Sequence, residues 1–170
     1  MVCSGPDRGR QVTYTNPYRW LPGFRPVDGD VALGTLVTRY LYAYGPAMPP
    51  HFARWLGVPP RYAAGLFGTL AGGLERVELD GEPAWTVAGD TATPPRPHRG
   101  LWLLPCFDAY VVAGQPRDRL YPGPAAARAL TPSGQAGNYP VLLVDGVVGG
   151  LWHQRRSAAG SPSPSIRCAS

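Results

Sequence analysis

The apolar residues from Leu33 onward fall at Leu33, Leu36, Val37, Tyr40, Leu41 and Tyr44. That i, i+3, i+4, i+7, i+8, i+11 spacing predicts a helix with one buried stripe. Asp28 or Asp30 ahead of it can accept hydrogen bonds from the first unpaired N–H groups, and Gly45-Pro46 stops it. A second helix opens at Pro49-Pro50, because proline fits a first turn whose N–H has no intrahelical partner; Phe52, Trp55 and Leu56 form its inner face. Gly57-Val58-Pro59 is a tight link, and a third helix from Pro60 sets Ala63, Leu66, Phe67 and Leu70 at helical spacing before Gly72-Gly73. There the period drops to two. Val77 and Leu79 alternate with Arg76 and Glu78, Asp80-Gly81 reads as a hairpin turn, and Trp85 and Val87 continue the alternation. Three helices followed by a hairpin outline a winged helix-turn-helix over residues 29–90, a fold used mainly to hold DNA.

The flanking segments read differently. Residues 1–28 form an N-terminal extended segment, and the prolines of 91–100 predict a connector, since each removes a donor and restrains its predecessor. Residues 101–156 read as a β-rich domain, part of a barrel: strand pattern from Leu101 through Val112, a looser Arg117-Asp118-Arg119 and Pro/Gly/Ala stretch, then a second hairpin. That hairpin joins Pro140–Val144 to Val147–Trp152 through Asp145-Gly146, and its continuous apolar first strand reads as buried. The Ser/Pro-rich residues 157–170 predict a disordered tail. The expected fold class is α+β, a winged helix-turn-helix followed by a partial β-barrel.

Composition narrows the chemistry. With 170 residues and 44% hydrophobic content the chain can bury a real core, while Gly 22 and Pro 21 demand short, punctuated elements. All 16 basic residues are arginine, and the net charge of +5 favours an anionic partner. Cys3, Cys106 and Cys168 are odd in number and scattered, which argues against a disulfide framework and a zinc site and fits a reducing cytoplasm. His51, His98 and His153 lie far apart, and neither a Ser-His-Asp arrangement nor a Gly-rich phosphate loop is visible; no metal and no cofactor are expected. No run approaches the roughly 20 apolar residues that span a bilayer, so no membrane contact is expected.

The third helix is sparse for a reading helix. Arg61, Tyr62 and Thr69 are its polar contacts, and Gly65 and Gly68 weaken it. Double-stranded DNA is therefore expected to be held through phosphates, with little sequence preference. Arg54, Arg61 and Arg76 could line one side of the winged helix; Arg117 with Arg119, and Arg155 with Arg156, form two pairs near loops of the β-rich part. Asp108 and Tyr110 sit among apolar residues, where the acid is either a site carboxylate or a turn cap. Trp20, Trp55, Trp85, Trp102 and Trp152 read as core. The alternative function is a protein-interaction module, since winged helices also serve as dimerisation platforms, with a homo-oligomer as its form.

Four ordered segments carry a family likeness: Arg39 to Ala47, Phe52 to Gly57, Leu103-Leu104-Pro105-Cys106-Phe107-Asp108-Ala109-Tyr110, and Pro140 to Trp152. Over roughly residues 11–156 the chain resembles the AlkZ-like DNA glycosylase family. The resemblance implies tandem winged helices and a C-terminal β-barrel forming a concave DNA surface, in proteins that excise alkylated or crosslinked purines. It also implies a catalytic glutamine followed two places later by glutamine or aspartate. Gln11, Gln115, Gln135 and Gln154 are not so followed. A truncated or frameshifted C-terminal fragment without glycosylase activity is the resulting expectation, with no catalytic residue assigned.

Overall fold

A computed structural model describes residues 3–92, 96, 99–156 and 162–168, the segments 154–156 and 162–168 by backbone alone. The chain divides into two compact units, 1–35 and 36–170. In the first, β1 (Cys3–Ser4) pairs antiparallel with β2 (Tyr14–Thr15). The Asn16 side chain caps the turn at Pro17–Arg19 by accepting from the Tyr18 N–H at 3.1 Å. Tyr18 and Phe24 meet edge to face, and Pro17 is the one buried residue among those described.

Helix α1 (Gly29–Tyr44) starts where the Asp28 carboxylate accepts from the Asp30 and Val31 N–H groups at 2.9 and 3.3 Å. Of the two acids offered for that cap, Asp28 fills it. In the second unit α1 continues and is followed by α2 (Pro49–Leu56), α3 (Pro60–Thr69) and the antiparallel hairpin β3 (Leu74–Leu79) and β4 (Glu82–Val87). The predicted stripe of α1 delivers Val37, Tyr40 and Leu41 to a core shared with Phe52, Ala63 and Phe67. Each large side chain buried there contributes about 1.5–3 kcal/mol. Ala47, between α1 and α2, exchanges two backbone hydrogen bonds with Trp85, both 2.9 Å, and so adds a one-residue rung to the hairpin.

Further along the chain, β5 (Leu101–Leu104), β6 (Val141–Val144), β7 (Val147–Arg156) and β8 (Pro162–Cys168) form an antiparallel sheet in the order β5-β6-β7-β8. It is an open four-stranded sheet among the described residues, with no closed barrel. Three short helices, α4 (Ala109–Ala113), α5 (Arg117–Leu120) and α6 (Pro124–Ala129), accompany it. A second core joins Val111, Tyr121 and Ala125 to Val141, Leu143 and Val148. The molecule is mixed helix and strand.

Three further expectations change. Ala109–Ala113 continues no strand; a five-residue apolar run has no decisive period, and Asp108 starts a helix there. Of the tail, 157–161 and 169–170 lie outside the described residues, but Pro162–Cys168 pairs with β7 along its length rather than standing disordered. Its place at the sheet edge is the one where prolines fit a strand, because an edge has donors to spare. Of the tryptophans, Trp85 packs against the first core as expected, and none is fully buried. Trp20, Trp55 and Trp102 are exposed, and Trp85 and Trp152 half-buried, because so large a ring is rarely covered completely.

Candidate nucleic-acid interface

The helical hairpin α2–α3 turns at Gly57, whose φ of 75° suits glycine, and the N–H groups of Gly57 and Val58 both bond the Ala53 carbonyl. This turn sets the N-terminus of α3 free. Pro59 and Pro60 supply no side-chain cap, and the first turn holds no acid. Arg61 and Tyr62 stand exposed on it. Downstream, a side chain added at Gly65 or Gly68 would meet nothing within 4 Å, so the outer face of α3 is bare backbone and small residues. Partial positive charge at the helix end, one guanidinium and one phenol make a setting for an anion.

The other predicted arginines are distributed unevenly. Arg54, at the end of α2, reaches the Gly134 carbonyl at 3.4 Å. Arg117 turns inward: it donates to the carbonyls of Val111 and Val112 and lies 5.8 Å from the Tyr121 ring centroid. Its Nε is buried with no partner among the described residues. Burial holds the Arg117 pKa below its ordinary value; Tyr121 opposes this and the charge of Arg54 adds to it. The fold therefore brings Arg54 and Arg117 within electrostatic reach of each other.

Arg119 is ion-paired with Asp80, the hairpin-turn residue, and Arg76 lies over the Trp85 ring at 4.8 Å. The hairpin also carries Glu75, Glu78 and Glu82, so its charge is chiefly negative. Arg155 and Arg156 end β7, and only their backbone is described.

Asp108 takes the bland role. Its carboxylate accepts from the Tyr110 N–H at 2.9 Å and caps α4, while the Tyr110 hydroxyl donates to the Gly146 carbonyl at 2.8 Å. The pair pins α4 to the β6–β7 turn. No three His, Cys, Asp or Glu side chains gather as a metal would require among the described residues, and no helix there is long and apolar enough to cross a membrane. Sequence reading missed His51, whose Nδ1 accepts from the Met48 N–H at 3.4 Å. Burial lowers its pKa, with Asp118 opposing. Its position three residues into a proline-started helix was the available signal.

The chain matches the DNA glycosylase AlkZ-like family over residues 1–161. It is 32% identical over 164 residues to the interstrand DNA cross-link repair glycosylase of Streptomyces sahachiroi, covering 89% of this chain and 43% of that protein. The solved structure of the Streptomyces sahachiroi DNA glycosylase AlkZ superposes with a TM-score of 0.71 at 29% identity, again over 89% and 43% of the two chains. The present chain thus spans less than half the length of the relative it matches.

Proposed function

The chain belongs to the AlkZ-like DNA glycosylase family, and from that premise we propose that it binds double-stranded DNA through a winged-helix fold, using phosphate contacts without strong sequence preference. The observation that carries this reading is the N-terminus of α3: uncapped by any side chain, free of acids, and flanked by exposed Arg61 and Tyr62. The helix–turn–helix at Gly57, the hairpin that follows, and the rung between Ala47 and Trp85 support the winged-helix assignment.

Backbone contact follows from what α3 lacks. Its outer face offers no Asn, Gln or second Arg to a base edge, whereas Gly65 and Gly68 permit close approach to a sugar–phosphate strand. Arg54, exposed at the end of α2, adds a second cation. Arg76 and Arg119 are further candidates, although Arg119 must share itself with Asp80; Arg155 and Arg156 belong to the proposal by sequence alone. Base excision is not part of the proposal, because none of the four glutamines is followed two places on by Gln or Asp. In this reading 29–90 is the winged-helix domain, 91–100 a linker, and 101–156 a β-rich support.

Replacing Arg61 by Ala tests the assignment. Binding to unrelated duplexes should weaken uniformly, and the dependence of log Kd on log salt should lose about one unit of slope. An unchanged Kd and slope would refute the role of α3.

A second reading is favoured by the acidic hairpin. A wing bearing Glu75, Glu78 and Glu82, with its turn held by Arg119, repels phosphates and suits a protein partner, including a second copy. Light scattering with and without duplex separates the readings: a dimer indifferent to DNA favours this one.

A further inference from the structure

Where the end of α1 meets the link between α4 and α5, a cleft of about 370 Å³ opens, walled by Pro46, Leu79, Pro116 and Leu120. Its size and apolar walls are those of a small-ligand site, for which about 300 Å³ is the lower end of the usual range. Its wall is tightly packed at Gly114, where a Cβ would come within 2.6 Å of Leu120 Cδ2.

The polar groups of the cleft select the ligand. Arg119 is engaged by Asp80, and the Tyr110 hydroxyl by the Gly146 carbonyl. Gln115 and Tyr44 also line the cleft, are half-buried, and have no side-chain hydrogen-bond partner among the described residues. With the one cation neutralised, the site does not ask for an anion. It offers a planar amide with one acceptor and two donors, a phenol, and flat apolar surfaces from two prolines and a tyrosine. A neutral, planar ligand with adjacent donor and acceptor atoms on one edge answers that set. A nucleobase has this form, and adenine pairs a carboxamide through its exocyclic amine and ring nitrogen.

We propose that this cleft receives a single unpaired nucleobase, adenine best, with Gln115 bonding its edge and Tyr44 supplying a second hydrogen bond. The inference rests on the DNA-binding reading given above. An unpaired base is the natural visitor, since it needs least unstacking to leave the duplex.

The test compares a fully paired duplex with the same duplex carrying one unpaired adenine, by fluorescence anisotropy on the full chain. The protein should bind the second about tenfold more tightly, a gain of the size one stacked base supplies. Gln115→Met keeps the side chain's length and removes its amide; it should abolish that preference and leave binding to the paired duplex unchanged. Tyr44→Phe should reduce it, and thermal melting of both variants confirms folding. Equal affinity of the wild-type chain for the two duplexes, or a preference that survives Gln115→Met, overturns the pocket and leaves the phosphate reading standing. Failure to bind either duplex overturns both.

Discussion

At the scale of single residues, most of the polar side chains inside the second unit serve the fold, and their removal has signs that can be worked out. Asp108 caps α4, so Asp108→Ala should cost about 1 kcal/mol in urea unfolding while Asp108→Asn, which can still accept, costs much less. A site carboxylate would give the opposite pattern in function: loss with Asn and no relation to stability. Arg117 satisfies the carbonyls of Val111 and Val112; Arg117→Met leaves the Val112 carbonyl without that donor, while the Val111 carbonyl keeps the Tyr121 hydroxyl at 3.2 Å, and should cost about 1–3 kcal/mol in urea unfolding.

Tyr40 behaves otherwise. Its hydroxyl is buried with no partner among the described residues, and burial, with Tyr44 adding to it, pushes its pKa from 10.0 up to about 12. The folded chain keeps that proton when the unfolded chain has released it, so stability falls as pH rises from about 10 to about 12, by about 1.4 kcal/mol per unit at most. Tyr40→Phe should leave stability at neutral pH equal or higher and flatten this alkaline loss. Denaturant titrations of both proteins at pH 7 and above pH 10 check it; an equal alkaline loss in the variant would contradict the assignment.

At the scale of elements, the first three helices and their hairpin were legible because each carries its own punctuation. Asp28, Gly45-Pro46, Pro49-Pro50, Gly57 and Asp80-Gly81 start, stop or turn the chain by local chemistry, and the apolar spacing between them is long enough to fix a period. Gly57 at φ 75° is such a point, and Gly57→Ala should cost about 1 kcal/mol by forcing a Cβ into the left-handed region, read as a shift in urea midpoint.

The α4–α6 segment was not legible. Its helices have four to six residues, too few for a period to show, and they are held by contacts distant in sequence, such as Tyr110 to Gly146. The interface arginines divide the same way. That Arg61 stands exposed at a helix start was readable, because a helix start can be located from sequence. That Arg117 turns to backbone carbonyls and Arg119 to Asp80 depends on how the hairpin and α5 meet, which no local pattern encodes. Gln115 gave no signal at all.

At the scale of the whole molecule, a net charge of +5 and an uncapped α3 N-terminus support the proposed DNA-binding surface centred on the helical hairpin, and the chiefly acidic hairpin counts against the wing taking part in it. In the proposed reading the partner is held by arginine and helix dipole on phosphates, and the bare face at Gly65 and Gly68 offers no side chain for detailed base readout. Counterion release then sets the affinity.

The most direct test is a salt titration of the purified chain against two duplexes of unrelated sequence. The account predicts Kd values within about threefold of each other at every salt concentration, and a log–log salt slope near 0.9 for each phosphate neutralised, hence about 2 to 4 for Arg54, Arg61 and their neighbours. No binding at low salt, or an affinity indifferent to salt, would contradict it.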